Sequence, residues 1–248
     1  MSFPLRTRTR GRPGRNAGVV NVAAAPLFDP LTAITWHSAV FAEDSDWVAP
    51  ADGAAVSQWD DGSGNGRHYL QATGANQPLY RATVAGLNNK PAVQSQDSSD
   101  LLVQGSYTAI AQPFSVVFVA QLGAASSWVC DGIGASNRVL FNRTTGWFMD
   151  AGTARQYGTS NGNAHLFEWI VNGASSKLFV DGTQVGSTES HGANTPVGFT
   201  LFNRYTGGTS VGSASVAFFG VVASDWAVHA ERANLKAWAA LHYNLTIA

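Results

Sequence analysis

Between Phe114 and Leu122 the chain reads FSVVFVAQL, a nine-residue run that is apolar on both of its alternating sides. Phe114, Val116, Phe118, Ala120 and Leu122 fall on one face of an extended strand, and Val117 and Val119 on the other. A strand of this kind has to sit in the middle of a sheet with cover above and below. Its neighbours fit the same architecture. HLFEWIVNG alternates Phe167, Trp169 and Val171 against Leu166, Glu168 and Ile170. KLFVDGTQVGS places Asp181-Gly182 where a two-residue hairpin turn needs positive φ. GFTLFNR and SVAFFGVVA follow at similar spacing. Short strands, turns rich in the chain's 26 glycines and only 12% charged residues predict an all-β body, a sandwich or jelly roll. At 248 residues, one such domain can take up the chain.

The last segment changes period. Ser224-Asp225 is a helix cap candidate, and Val228, Leu235, Trp238 and Leu241 make a helical stripe, so one C-terminal helix is expected over 225–243 against the sandwich. Residues 1–25 read differently again. Arg6, Arg8, Arg10, Arg12 and Arg15 stand there with no acid before Asp29, while the remainder holds ten basic against sixteen acidic residues, a charge of −6. Alternation puts Arg6, Arg8, Arg10 and Arg12 on one side of an extended chain, and Pro13-Gly14 forbids a helix. The expected organisation is an extended basic arm, 1–25, and a jelly-roll domain, 26–248.

The segment Trp59–Leu70, WDDGSGNGRHYL, invites a test for chemistry. Aligned as a calcium loop, Asp61, Ser63 and Asn65 occupy ligand positions, but the twelfth position is Ala72 where a bidentate Glu is required. No Lys-Ser or Lys-Thr follows the glycines, as a phosphate loop demands. The loop reads as architecture, its glycines permitting unusual backbone angles and its Asp and Ser capping turn amides.

VSQWDDGSGNGRHYLQATGANQPLY followed by GLNNKPAVQSQDSSDLL resembles the opening of concanavalin A-like, laminin G-like jelly-roll domains. Those often read Trp-x-Asp-x-Ser-Gly-Asn-Gly and then a Pro-Ala-Val strand ending in Asp-x-Leu. The resemblance runs through FSVVFVAQL, HLFEWIVNG and KLFVDGTQVG to the closing helix, about residues 27–245. It departs where the family has Phe-Asp-Gly after Pro-Ala-Val, since Gln94-Ser95-Gln96-Asp97 stands there. The resemblance implies the fold and makes Trp59 a core anchor.

Catalysis is not expected. Glycosidases of this fold would need a Glu-x-Asp-x-x-Glu strand, and the four glutamates (Glu43, Glu168, Glu189, Glu231) show no such pattern. EDSD, 43–46, reads as a solvated turn. No Gly-x-Ser-x-Gly elbow occurs. The six histidines lack metal spacing, and the lone Cys130 reads as a buried free thiol, so neither cofactor nor metal is expected. No run is long enough to span a membrane. GVVNVAAAPLFDP is too short and too interrupted for a secretory leader, which leaves the sequons at Asn142 and Asn244 without meaning.

Two non-enzymatic roles remain. Standalone domains resembling this one, with a basic arm, are like those in tailed-bacteriophage particles. That resemblance implies a virion structural protein on the capsid surface or tail, assembled in the host cytoplasm. A capsid decoration or head-fibre protein is the expectation, with Arg6, Arg8, Arg10, Arg12 and Arg15 docking on other virion proteins. Ordering the arm costs free energy, so multiple copies are expected, a homo-oligomer with a trimer as one arrangement. The alternative is a lectin-like tail or adhesion module for a host-surface glycan, with Trp47, Trp128, Trp147 and Tyr205 as contacting aromatics. The acidic body argues against nucleic acid as partner.

Overall fold

A computed structural model describes residues 35–38, 47–123, 127–205 and 213–248. The basic arm and the EDSD segment lie outside the described residues. Sixteen strands among them form two antiparallel sheets, and one α-helix follows.

Sheet A runs β14 (Thr183–Val185), β13 (Lys177–Val180), β12 (Ala164–Val171), β7 (Phe114–Leu122), β16 (Ala214–Val222), β5 (Lys90–Gln94), β4 (Leu79–Val84). Short β1 (Thr35–Ser38) pairs with the second half of β16, beyond the part that β5 occupies. Sheet B runs β11 (Ala154–Tyr157), β10 (Trp147–Asp150), β9 (Leu140–Arg143), β8 (Ser127–Gly132), β15 (Phe199–Leu201), β6 (Leu102–Gln104), β3 (Tyr69–Leu70), β2 (Gln58–Trp59). The two inner faces meet as a jelly-roll β-sandwich.

The run FSVVFVAQL is central, hydrogen-bonded to β12 on one side and β16 on the other. Its inward residues join the core between the sheets, where Phe118 stacks on Phe167 at 4.8 Å and meets Phe141 edge-on at 4.9 Å. Its outward pair, Val117 and Val119, enters a second apolar cluster with Leu166, Ile170 and Phe218, covered by Leu235, Trp238, Ala239 and Tyr243 of the helix α1 (Arg232–Tyr243). Two covered faces explain why, apart from Ser115, this strand carries no polar residue until Gln121. The hairpin turn forms as read, with Asp181 at φ 50° and Gly182 at φ 80° between paired Val180 and Thr183.

The helix differs from expectation. Asp225 does cap, but it caps a short 3-10 turn, Trp226–Val228, by accepting the Ala227 N–H at 2.9 Å. The α-helix proper begins at Arg232. Ser115 on β7 explains the break, because its hydroxyl accepts the Trp226 N–H and donates to the Ser224 carbonyl, pinning this segment to the sheet. Val228 and Leu241 are therefore exposed, and the buried stripe is Leu235, Trp238, Ala239 and Tyr243.

Arg232, which falls off that stripe, reaches inward to Glu168 on the same face of sheet A. The two pair through both carboxylate oxygens at 2.9 Å, and Trp226 Nε1 donates to the same carboxylate at 3.0 Å. Glu168 is fully buried, so its charge needs these partners.

The glycine loop is held from its centre. Asp61 Oδ1 accepts the N–H groups of Trp36 and Ser63 and the Ser63 hydroxyl, and Oδ2 accepts the Arg67 N–H. Burial opposes ionisation, but the Ser63 hydroxyl and the Arg67 and Ser63 N–H groups hold the carboxyl below its usual range. At Gly62 a Cβ would run into the Trp36 ring, and Gly64 and Gly66 take φ of 78° and 66°. Trp59, at this loop's start, is 0% exposed. The aspartate binds the loop to itself and to β1.

Candidate functional site on the outer face of sheet B

The outer face of sheet A lies under α1; the outer face of sheet B carries polar chemistry. Strand β8 holds a bulge, with Trp128 opposite Asn142 and Cys130 opposite Phe141. Val129 and Cys130 consequently both enter the inner core, and Trp128 and Asp131, three residues apart, share the outer face. Thr200 stands opposite Asp131, and Phe148 opposite Asn142.

Four polar atoms on this patch are buried without a hydrogen-bond partner: Trp128 Nε1, Asp131 Oδ1, Asn142 Oδ1 and Thr200 Oγ1. Asp131, Asn142 and Thr200 are respectively 5%, 6% and 0% exposed. An unmet buried polar group costs about 1–3 kcal/mol, so four on one patch are a concentrated expense that a bound ligand can relieve. At the end of β15, Phe202 takes φ 68°, a left-handed conformation rare for a bulky residue. That turn brings Arg204 over the Trp128 ring at 5.3 Å and lets the Tyr205 N–H bond to Asp131. Strain held at such a corner is a common property of binding sites.

Burial raises the Asp131 pKa above the usual carboxylate value; Arg138, the N–H groups of Tyr205 and Gly132, and Arg204 pull the other way. Arg138 also lies 3.4 Å from Asp150 on β10 without hydrogen-bond alignment. The patch thus balances Asp131 and Asp150 against Arg138 and Arg204, with an arginine-backed indole and a half-exposed Tyr205 beside them.

Of the four aromatics expected to contact a glycan, Trp128 and Tyr205 belong to this patch. Trp47 and Trp147 do not. Trp47 is 5% exposed, packed on Trp59 and Tyr80, with its Nε1 donating to the Gln58 carbonyl. Trp147 is 3% exposed and packs edge-on against Phe167 at 4.9 Å in the inner core. Strand alternation turns Trp147 inward, and Trp47, which lies in no strand, meets the same demand of the two-sheet core for large side chains. The docking arginines 6, 8, 10, 12 and 15 lie outside the described residues.

Sequence reasoning passed over Asp131, Asn142, Thr200 and Arg204. Plain alternation separates Trp128 from Asp131, and only the bulge reunites them. Asn142 stood out merely as the start of a sequon.

Other polar groups are consumed structurally. Cys130 is buried and its thiol pushed up by burial, which makes it inert. His191 accepts the Trp169 indole N–H at Nδ1 (2.8 Å), so its Nε2 donates to the Tyr157 hydroxyl (3.0 Å), which donates to Glu189 (2.8 Å). Among the described residues no three His, Cys, Asp or Glu gather to hold a metal, and no helix is long and apolar enough to cross a membrane.

No protein family and no curated protein sequence matches the chain. Solved structures do. It is similar to Trypanosoma rangeli sialidase in complex with sialic acid, with TM-score 0.54 and 12% identity over 88% of this chain and 34% of that one. It is similar also to the botulinum neurotoxin serotype D ligand binding domain in complex with N-acetylneuraminic acid (0.53, 10%, 84% and 51%). The serotype G binding domain matches at 0.55 and 10%, over 83% and 50%. What is shared is the β-sandwich. The chain spans a third to a half of these longer proteins.

Proposed function

We propose that the protein is a non-catalytic glycan-binding module that reads a saccharide on the outer face of sheet B. The carrying observation is the cluster of unpartnered buried polar atoms beside Trp128 and Tyr205. Sugar hydroxyls both donate and accept, as this patch requires: they donate to Asp131 Oδ1 and Asn142 Oδ1, accept from Trp128 Nε1, and do either with Thr200. Tyr205 and Phe148 offer ring faces to the C–H side of a pyranose. Arg138 and Arg204 meet the carboxylate of an acidic sugar. Sialic acid bound to solved proteins of similar fold supports this class of ligand. A non-catalytic role fits the carboxylates, since Asp131 and Asp150 lie on opposite sides of β9 with Arg138 acting on both, and Glu168 is locked under α1. The test is a glycan array of sialylated and neutral saccharides; binding that is lost in Trp128→Ala supports the reading, and a blank array removes it.

The one-sided arginine alternation of residues 6–12, with Arg15 following, favours a second layer to this reading. We place the module on a virus particle, as a capsid decoration, head-fibre or tail component, with the arm docking on virion proteins and several copies assembling together. Deleting residues 2–20 should abolish particle binding and leave the β-rich circular dichroism intact. Full decoration by the truncated protein would refute the docking role.

A further inference from the structure

A polar cleft lies on the other sheet. The end of β7, the start of β12, the turn after β4 and the residues that close α1 surround a cleft of about 430 Å³. That size is within the roughly 300–1,000 Å³ typical of small-molecule sites. Its walls hold the side-chain amides of Asn88, Gln121, Asn163 and Asn244, with Tyr243 and Leu245 beside them.

The charges here are already spent. Asp181 accepts the Leu166 N–H at 2.9 Å and faces His165 Nδ1 at 2.6 Å, and His165 Nε2 faces Asn161 at 2.8 Å. The amides are spent only in part. Gln121 donates to the Gly162 carbonyl and Asn88 to the His242 carbonyl at the helix end, each at 3.0 Å. Gly86 is what allows the Gln121 amide to lie against the backbone, because a Cβ there would collide with it. The wall also contains a group nothing satisfies: Tyr243 is 2% exposed and its hydroxyl has no hydrogen-bond partner.

A charged ligand would find no unspent counter-charge in this cleft. A ligand rich in hydroxyls matches amides, which donate and accept together, and its C–H surface matches Ala85, Ala164 and Leu245. We propose that this cleft is a second ligand site, taking an uncharged saccharide unit whose hydroxyl pairs with Tyr243. The assignment goes beyond the sheet B reading and uses none of its residues.

The experiment follows the side-chain amide signals of Gln121 and Asn163 by NMR during titration with maltose and lactose. Trp128→Ala protein, lacking the first site, serves as background. Saturable shifts are expected in the millimolar range. Tyr243→Phe should weaken them about tenfold, the value of one hydrogen bond, while its melting temperature holds or rises because an unpaired buried hydroxyl is gone. A structural hydroxyl would instead lower the melting temperature and leave affinity unchanged, which would overturn the proposal. So would an absence of saturation with both sugars. Failure here with intact glycan binding at Trp128 would leave the sheet B reading standing.

Discussion

Thr200 on β15 and Asp131 on β8 stand directly opposite each other across sheet B, and neither Thr200 Oγ1 nor Asp131 Oδ1 has a hydrogen-bond partner. A directly opposed pair could have satisfied itself with one hydroxyl-to-carboxylate bond. The two do not bond to each other, and both belong to the same patch. Thr200→Val keeps the shape and removes the hydroxyl, so thermal unfolding should show stability unchanged or raised by up to about 1 kcal/mol. Glycan affinity, read by calorimetric titration, should fall about tenfold. Loss of stability with unaltered affinity would mark Thr200 as structural.

Asp131 should set the pH dependence of the proposed glycan binding. Its raised pKa, caused first by burial, means the folded protein takes up a proton at higher pH than an ordinary carboxyl. A sugar hydroxyl donates more strongly to the ionised form than to the protonated one. Affinity should therefore be full near neutrality and decline as pH falls into a range above the usual carboxylate value. In Asp131→Asn that decline should vanish, and affinity near pH 7 should be lower than in the wild type.

The buried histidines govern acid stability. Burial lowers the pKa of His191 from 6.5 to about 4, with Glu189 opposing and Arg155 assisting, and lowers that of His37 to about 3. Below about 6.5 the unfolded chain binds protons that the folded chain refuses, so stability is full above that pH and is lost toward pH 4. Melting curves across pH 8 to 4 should show this loss, and His191→Gln should flatten the slope even if its neutral-pH stability is lower. A melting temperature constant over this window would contradict the assignment.

Glu168 and Arg232 tie α1 to sheet A. Arg232→Met alone leaves a buried carboxylate without its cation and should cost about 3–5 kcal/mol by denaturant unfolding. The double change Glu168→Leu with Arg232→Met should restore much of this loss. Equal losses in the single and double variants would show that the pair itself matters little.

How far the sequence reaches can be seen strand by strand. FSVVFVAQL is legible because a strand covered on both faces has no polar alternation, and the Asp181-Gly182 turn because only certain residues accept positive φ there. Trp59 and the Asp61 loop read correctly because local capping decides them. The C-terminal helix came out too long, since the Ser115 side chain that stops it belongs to a strand more than a hundred residues away. Trp147 shows that a tryptophan in a strand says nothing about which face it takes until the register is known, and Trp47 that one in a loop can still be folded into the core. The candidate site is legible least of all, because a single bulged residue, Val129, decides that Trp128 and Asp131 share a surface.

The most direct test of the central claim is to follow the indole N–H signal of Trp128 in the NMR spectrum during titration with sialyllactose and with lactose. The account predicts that one of these sugars moves the Trp128 signal saturably, with the buried Trp59, Trp147 and Trp169 signals unmoved, and that Asp131→Asn weakens the effect. A Trp128 signal indifferent to both sugars at millimolar concentration would contradict it.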